Sequence, residues 1–265
     1  MPIVFAHGQP KSGSTFLFQV ARRAASLQDR LGERELRQAL SDALGEPWRD
    51  FQQTVDRALI DRLRARIPPR LTVVIKTHGD LDPALMPLLA RQQVRAFTSV
   101  RDPRDTALSM VDTGQRDAAH GKPRPYFKAM RTVTQPETLN AQRWAVRRLG
   151  PIVGNPFVLT IPHEAIAAAQ PRVVRLLLRH LGLERQAREV NAHFASDPHG
   201  RIMEYHRGEP LRFRRELTAD EVATLDRELA AEIAVVDAIT RRAMARLSLT
   251  NAHLALRAPR PAGRC

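Results

Sequence analysis

Ile3 to His7 is a short apolar run, Gly8-Gln9-Pro10-Lys11-Ser12-Gly13 is turn-like, and apolar residues then recur at helical spacing through Phe16, Leu17, Val20, Ala21 and Ala24. The pattern predicts strand, loop, helix. Residues 32–67 read as helix in at least two pieces, broken near Gly45-Glu46-Pro47 and ended by Pro68-Pro69, with a second strand at Leu71 to Ile75. A third apolar run, Val94 to Val100, stops at Arg101-Asp102-Pro103, where Asp102 can cap and Pro103 can occupy the first turn of a helix running past Ser109. Asp112 to Lys128, rich in Gly, Pro and charge, reads as a mobile lid loop, 112–128. Helical spacing resumes at 136–149, Phe157 to Ile161 predicts a fourth strand, and 165–181 predicts a helix that Gly182 ends. Thr218-Ala219-Asp220-Glu221 is a capping box opening a long helix to about residue 247, and residues 258–265 form a Pro/Arg tail expected to be disordered.

Strands alternating with helices imply an α/β fold, a central mostly parallel sheet flanked by helices, in one domain spanning residues 1–257. Ligands of such folds bind beyond the carboxyl ends of the strands. Three strands here end in polar clusters: Gln9 to Thr15, Lys76-Thr77-His78, and Arg101-Asp102-Pro103-Arg104-Asp105. These clusters are expected to converge on one crevice.

Composition narrows the partners. Over 265 residues, 42 Lys and Arg face 28 Asp and Glu, for a net charge of +14, so attraction to anions is expected. Hydrophobic residues at 43% and charged residues at 26% are ordinary globular usage and exclude a wholly disordered chain. Only Lys11, Lys76, Lys122 and Lys128 are lysine, and the arginines, such as Arg62, Arg64 and Arg66 or Arg143, Arg147 and Arg148, read as solvated helix faces without interleaved aromatic platforms. A nucleic-acid surface is therefore disfavoured. The single cysteine, Cys265, excludes a disulfide framework and a thiolate metal site, which points to the cytoplasm. No run approaches the roughly 18 apolar residues of a membrane span, and the opening Met1-Pro2-Ile3-Val4-Phe5-Ala6 reads as a strand, not a signal peptide.

Gly8, four residues, then Gly13-Ser14-Thr15 has the length of a P-loop, whose backbone N–H groups cradle phosphate at a helix N-terminus. A nucleotide-triphosphate P-loop places lysine directly after the second glycine, whereas Ser14 stands there and Lys11 precedes that glycine by two. No strand ends convincingly in a magnesium-holding acid, so metal-dependent phosphoryl transfer loses ground. Two alternatives stay open: a P-loop small-molecule kinase with a displaced lysine, and a non-catalytic nucleic-acid-binding module.

Pro10-Lys11-Ser12-Gly13-Ser14-Thr15-Phe16 resembles the Pro-Lys-Ser-Gly-Thr-Thr-Trp loop of cytosolic-type sulfotransferases, which use 3′-phosphoadenosine 5′-phosphosulfate, PAPS. The resemblance implies a P-loop-like fold and assigns this loop to the 5′-phosphosulfate, with Lys11 stabilising charge on the leaving phosphate and Ser12, Gly13, Ser14 and Thr15 around it. Phe16 takes the place of a tryptophan that contacts adenine. Ile75-Lys76-Thr77-His78 is similar to the family's Lys-Thr-His segment, implying His78 as general base and Lys76 at the transferring group. An imidazole with an unperturbed pKa near 6.5 suits that task. His7, His120, His163 and His206 lack this context. Arg101, with Ser109 eight positions later, resembles the pair that reaches the 3′-phosphate.

A fourth element, His206-Arg207-Gly208 followed by Thr218, copies the length of the family's Arg-Lys-Gly loop, so Arg207 and Gly208 are carried over to the 3′-phosphate. His206 and Leu211 depart from its pattern. The implied reaction is in-line sulfuryl transfer from PAPS to a hydroxyl or amine, leaving adenosine 3′,5′-bisphosphate, with no metal. The acceptor expected is a small molecule or glycan, and the basic 112–128 segment favours an acidic or sugar-like one. Arg214 to Thr218 partly resembles the family's short dimerisation stretch and leaves a homodimer open.

Overall fold

The computed structural model describes residues 2–121, 124–196 and 209–248. Four parallel strands, β1 (Ile3–Gly8), β2 (Val73–Thr77), β3 (Arg95–Val100) and β4 (Val158–Pro162), form one sheet in the order β2-β1-β3-β4. Every residue of β1 is buried, as a strand between two parallel neighbours with both faces covered must be. The helices that follow are α1 (Ser14–Asp29), α2 (Glu33–Leu44), α3 (Arg57–Arg66), α4 (Met86–Ala90), α5 (Pro103–Ala119), α6 (Pro125–Lys128), α7 (Pro136–Arg147), α8 (Gly150–Val153), α9 (His163–Leu181) and α10 (Ala187–Ser196). Three more span Phe213–Glu216, Ala219–Glu228 and Ala230–Arg246.

The main core joins the strand side chains Phe5, Val73, Ile75 and Phe97 to Leu17 and Val20 of α1 and Val174, Leu177 and Leu178 of α9. A second cluster packs Met110 and Val111 of α5 against Phe127, Leu139 and Leu225, and a third joins Val100 to Val146, Leu149, Val236 and Ile239. No helix among the described residues is long and apolar enough to cross a membrane.

The chain leaves β1 for β2, then returns past β1 to β3, so the direction of winding reverses between β1 and β3 and opens a crevice at their carboxyl ends. Register brings the polar clusters level, because His7 pairs with Thr77 on β2 and Thr98 on β3, and Gly8 with Ser99. As β1, β3 and β4 each feed a helix within a few residues, the N-termini of α1, α5 and α9 collect at this edge. Unpaired N–H groups and the positive ends of the helix dipoles therefore gather where an anion would bind.

Two sequence expectations are corrected. Residues 112–119 continue α5, with Thr113 and Gly114 buried on its inner face and Thr113 Oγ1 donating to the Ser109 carbonyl at 2.8 Å, and Pro125–Lys128 forms α6. The Gly and charge content of 112–128 hid the helix because Gly114 is needed for close approach: a Cβ there would lie 2.4 Å from the Phe127 carbonyl oxygen. The helix expected from Thr218 to 247 is two helices, interrupted at Leu229 (φ −116°, ψ 20°), whose side chain is buried in the same cluster as Leu225. The capping box is present, with Glu221 N–H on Thr218 Oγ1 and Thr218 N–H on Glu221. Residues 258–265 lie outside the described residues.

Candidate active site

The loop from Gln9 to Gly13 is tightened by Ser12, whose N–H donates to the Gln9 carbonyl at 3.2 Å and whose hydroxyl lies 2.6 Å from Ser99 Oγ. Gly13 sits at φ 89°, where a Cβ would lie 2.9 Å from Ile166 Cδ1 and 3.2 Å from His163 Nδ1 of α9. Gly8 is as crowded, since its Cβ would lie 2.3 Å from Ser99 Oγ. Both glycines are therefore required by close approach, and the loop is a backbone cradle capped by α1. Lys11 adopts φ 65° without being glycine, a conformation costing about 1–2 kcal/mol, and its ammonium lies 5.8 Å from the centroid of the Phe127 ring.

Lys76 and His78, two apart at the end of β2, fall on one side of the strand line. Lys76 Nζ donates to Thr15 Oγ1 at 2.7 Å, so the lysine reaches over the start of α1. His78 Nδ1 lies 2.6 Å from the Gly8 carbonyl oxygen. A carbonyl only accepts, so Nδ1 carries the proton, and in the neutral ring Nε2 holds the lone pair. Residues 50–52 run along the outer edge of β2, with Lys76 N–H on the Asp50 carbonyl and Gln52 N–H on the Lys76 carbonyl, and place the Phe51 ring 5.5 Å from that of His78. Phe51 is 44% exposed, a large apolar ring left in solvent beside polar chemistry.

Arg101 follows β3 and is only 4% exposed. Its Nη1 donates to the Lys11 carbonyl at 3.3 Å, its Nη2 to the Glu209 carbonyl at 2.7 Å and to Asp105 at 3.4 Å, and its own N–H meets Gln9 Oε1 at 3.1 Å. The expected cap is there too, Asp102 accepting from Arg104 N–H at 2.9 Å. Arg101 Nε and Gln9 Nε2 are buried with no hydrogen-bond partner among the described residues. Unmet donors beside a glycine cradle and three helix N-termini are what a phosphorylated ligand would satisfy. The residues present therefore fit an anionic nucleotide.

The structure thus brings Lys11, Ser12, Gly13, Ser14, Thr15, Lys76, His78 and Arg101 to one edge of the sheet. Ser109 lies two turns along α5 and is partly exposed. Phe16 is turned into the core, edge-on to Phe194 with centroids 5.4 Å apart. Arg207 and Gly208 lie outside the described residues.

Four residues of this edge were given no role by the sequence. Asp105 accepts from Arg101 and from the backbone of Leu211 and Phe213. Glu164, second residue of α9, is buried, with Oε2 lacking a hydrogen-bond partner among the described residues, and burial pushes its pKa up to about 7. Arg101 opposes that rise, Asp102 and Asp105 reinforce it. His163, beside Gly13, carries the only sequence signal that could have found it, its position just after β4. His7 is buried under the site with Nδ1 2.8 Å from Thr98 Oγ1, and burial first, then the charges of His78 and Arg148, bring its pKa down to about 3. A neutral imidazole in a strand interior gave no pattern to read.

No protein-family model matches the sequence, and no curated protein matches it at a significant level. Solved structures do. Mouse sulfotransferase SULT7A1 complexed with PAP superposes with a TM-score of 0.52 at 14% identity, covering 90% of this chain and 86% of that one. Retinol dehydratase in a complex with retinol and PAP gives 0.50 at 14% identity, covering 87% and 81%. With the four-stranded parallel sheet, its winding and the cradle after β1 already described, these likenesses establish that the chain has the sulfotransferase fold.

Proposed function

We propose that this protein is a PAPS-dependent sulfotransferase that moves a sulfuryl group to a hydroxyl or amine of a small-molecule or glycan-like acceptor in the cytoplasm. The observation that carries the reading is the placement of His78 and Lys76 against the β1 loop: Nδ1 of His78 on the Gly8 carbonyl and Nζ of Lys76 on Thr15 Oγ1. PAPS supplies the activated sulfuryl group. The backbone from Ser12 to Thr15 and the N-terminus of α1 would hold its 5′-phosphosulfate, with Lys11 and Lys76 balancing charge. Arg101, Ser109, Arg207 and Gly208 would serve the 3′-phosphate.

His78, fixed in one tautomer by Gly8, presents Nε2 as the base. The acceptor O–H or N–H gives its proton to Nε2 as its O or N bonds to sulfur, the bond from sulfur to the phosphate oxygen breaks, and the bisphosphate leaves with that electron pair. Base catalysis of this kind contributes about 10²- to 10⁴-fold, and the remainder must come from positioning and charge. Phe51 beside His78 and Phe127 beside Lys11 would form walls of the acceptor site.

A thermal-shift titration in EDTA with adenosine 3′,5′-bisphosphate, 5′-AMP and ATP tests the reading. A ligand at 100 times its Kd adds about 2.7 kcal/mol to the folded state. Stabilisation by the bisphosphate in preference to the other two is the expected result. Stabilisation by ATP alone, once magnesium is restored, would replace it with the kinase reading.

A further inference from the structure

Beyond His78 the chain turns at Gly79 to Asp80, and Asp80 forms one wall of a groove of about 430 Å³ whose other wall is the end of α7: Asn140, Arg143, Trp144, Arg147 and Arg148. Two residues of chain span at most about 7 Å, so the groove begins next to the base. Its contents are unusual for a solvated helix face. Trp144 is 38% exposed, and the guanidinium of Arg148 stacks 4.1 Å from its ring centroid. Arg148 also pairs with Asp80 at 3.2 Å, but the Asp80 side chain is 67% exposed, and such a pairing is readily exchanged for another carboxylate. Arg143 is engaged by Glu228 at 3.2 Å, whereas Arg147 has no ion-pair partner among the described residues.

We propose that the acceptor carries an anionic group, a carboxylate or sulfate, and that this group docks in the groove between Trp144 and Asp80 against Arg147 and Arg148. The fork of a guanidinium matches a carboxylate with two donors, and the indole offers an apolar face for the body that bears it. Arg148 lies near enough to this end of the sheet for its charge, like that of His78, to act on His7. The inference rests on the reading of His78 as the base, and it narrows the acceptor to acids.

The test uses the two tryptophans of the chain as reporters. In the ¹⁵N-labelled protein saturated with adenosine 3′,5′-bisphosphate, Trp144→Phe assigns the two indole N–H signals, and 4-hydroxybenzoate is titrated against 4-hydroxybenzamide. The acid should move the Trp144 signal saturably, at least tenfold more tightly than the amide, and leave the Trp48 signal in place. Arg147→Gln, which removes an exposed charge outside the donor site, should erase that tenfold preference and spare the bisphosphate thermal shift. With PAPS, the acid should also be sulfated, or compete with a sulfated acceptor, with the same dependence on Arg147. Equal affinity for acid and amide, an unchanged Arg147→Gln variant, or selective binding that leaves PAPS consumption untouched would each overturn the inference. Loss of the bisphosphate thermal shift in the unaltered protein would instead remove the sulfotransferase reading, so the two failures are distinct.

Discussion

The carboxylate of Asp105 accepts the backbone N–H of Leu211 at 2.6 Å, across 106 residues of chain, and so fastens the segment after residue 208 to the first turn of α5. The same carboxylate accepts from Phe213 N–H at 3.1 Å and from Arg101 at 3.4 Å, and it is 1% exposed. Leu211 is held at φ 59° and Lys11 at φ 65°, both without glycine. Arg101, through the carbonyls of Lys11 and Glu209, links those two turns. A buried ion pair therefore holds two costly backbone conformations at the mouth of the crevice.

Asp105→Asn should accordingly destabilise the protein by about 3–5 kcal/mol, since the amide nitrogen cannot accept and Arg101 is left as a buried charge without its partner. Urea denaturation measures this directly. A change below about 1 kcal/mol would mean that the segment is held by other contacts.

His78→Asn separates the base from its scaffold better than alanine does. An asparagine amide can still donate to the Gly8 carbonyl but has no basic lone pair, so turnover with PAPS should fall by about 10²- to 10⁴-fold while bisphosphate affinity changes little. Steady-state kinetics and calorimetric titration read the two quantities. Parallel loss of both would show that His78 holds the donor instead.

How much of this edge could be read from the chain depended on whether local pattern or distant packing fixed each residue. The strands were found within two or three residues because buried parallel strands are continuous apolar runs, and the cap at Asp102 with Pro103 behind it is entirely local. The cradle glycines, Lys11, Lys76, His78 and Arg101 were legible because each stands at a strand end or in the short loop that follows one. Asp105 was in plain view but its backbone partners Leu211 and Phe213 lie more than a hundred residues away, and Phe51 joins the site only because residues 50–52 pair with the edge of β2. The helix through 112–119 was missed because its glycine serves packing against Phe127, which no local rule contains.

Glu164 should make stability depend on pH near neutrality. Its folded pKa of about 7 lies above the ordinary 4.5, so between those values the folded chain keeps a proton that the unfolded chain releases. Stability from this group is therefore full below about pH 4.5 and is lost as pH rises through 7, by on the order of 3 kcal/mol. Glu164→Gln removes that dependence. The variant should be the more stable of the two at pH 8, with the gap narrowing toward pH 5. Burial lowers the pKa of His7, which acts in the opposite sense as pH falls, but His7 is common to both proteins and cancels in the comparison. Urea midpoints that differ equally at the two pH values would show that Glu164 is ionised in the fold.

Arg101→Lys tests the donor site with the least damage to the fold, because alanine would also release Lys11, Glu209 and Asp105. Lysine keeps a positive charge beside Asp105 but loses the planar fork that serves several acceptors at once. If Arg101 meets the 3′-phosphate, the variant should bind adenosine 3′,5′-bisphosphate at least tenfold more weakly, about 1.4 kcal/mol, and bind 5′-AMP as before. The contrast between the two nucleotides is the informative quantity, since a loosened loop would weaken both by the same factor. Equal losses in calorimetric titration would leave Arg101 as a structural clasp and move the 3′-phosphate to other residues.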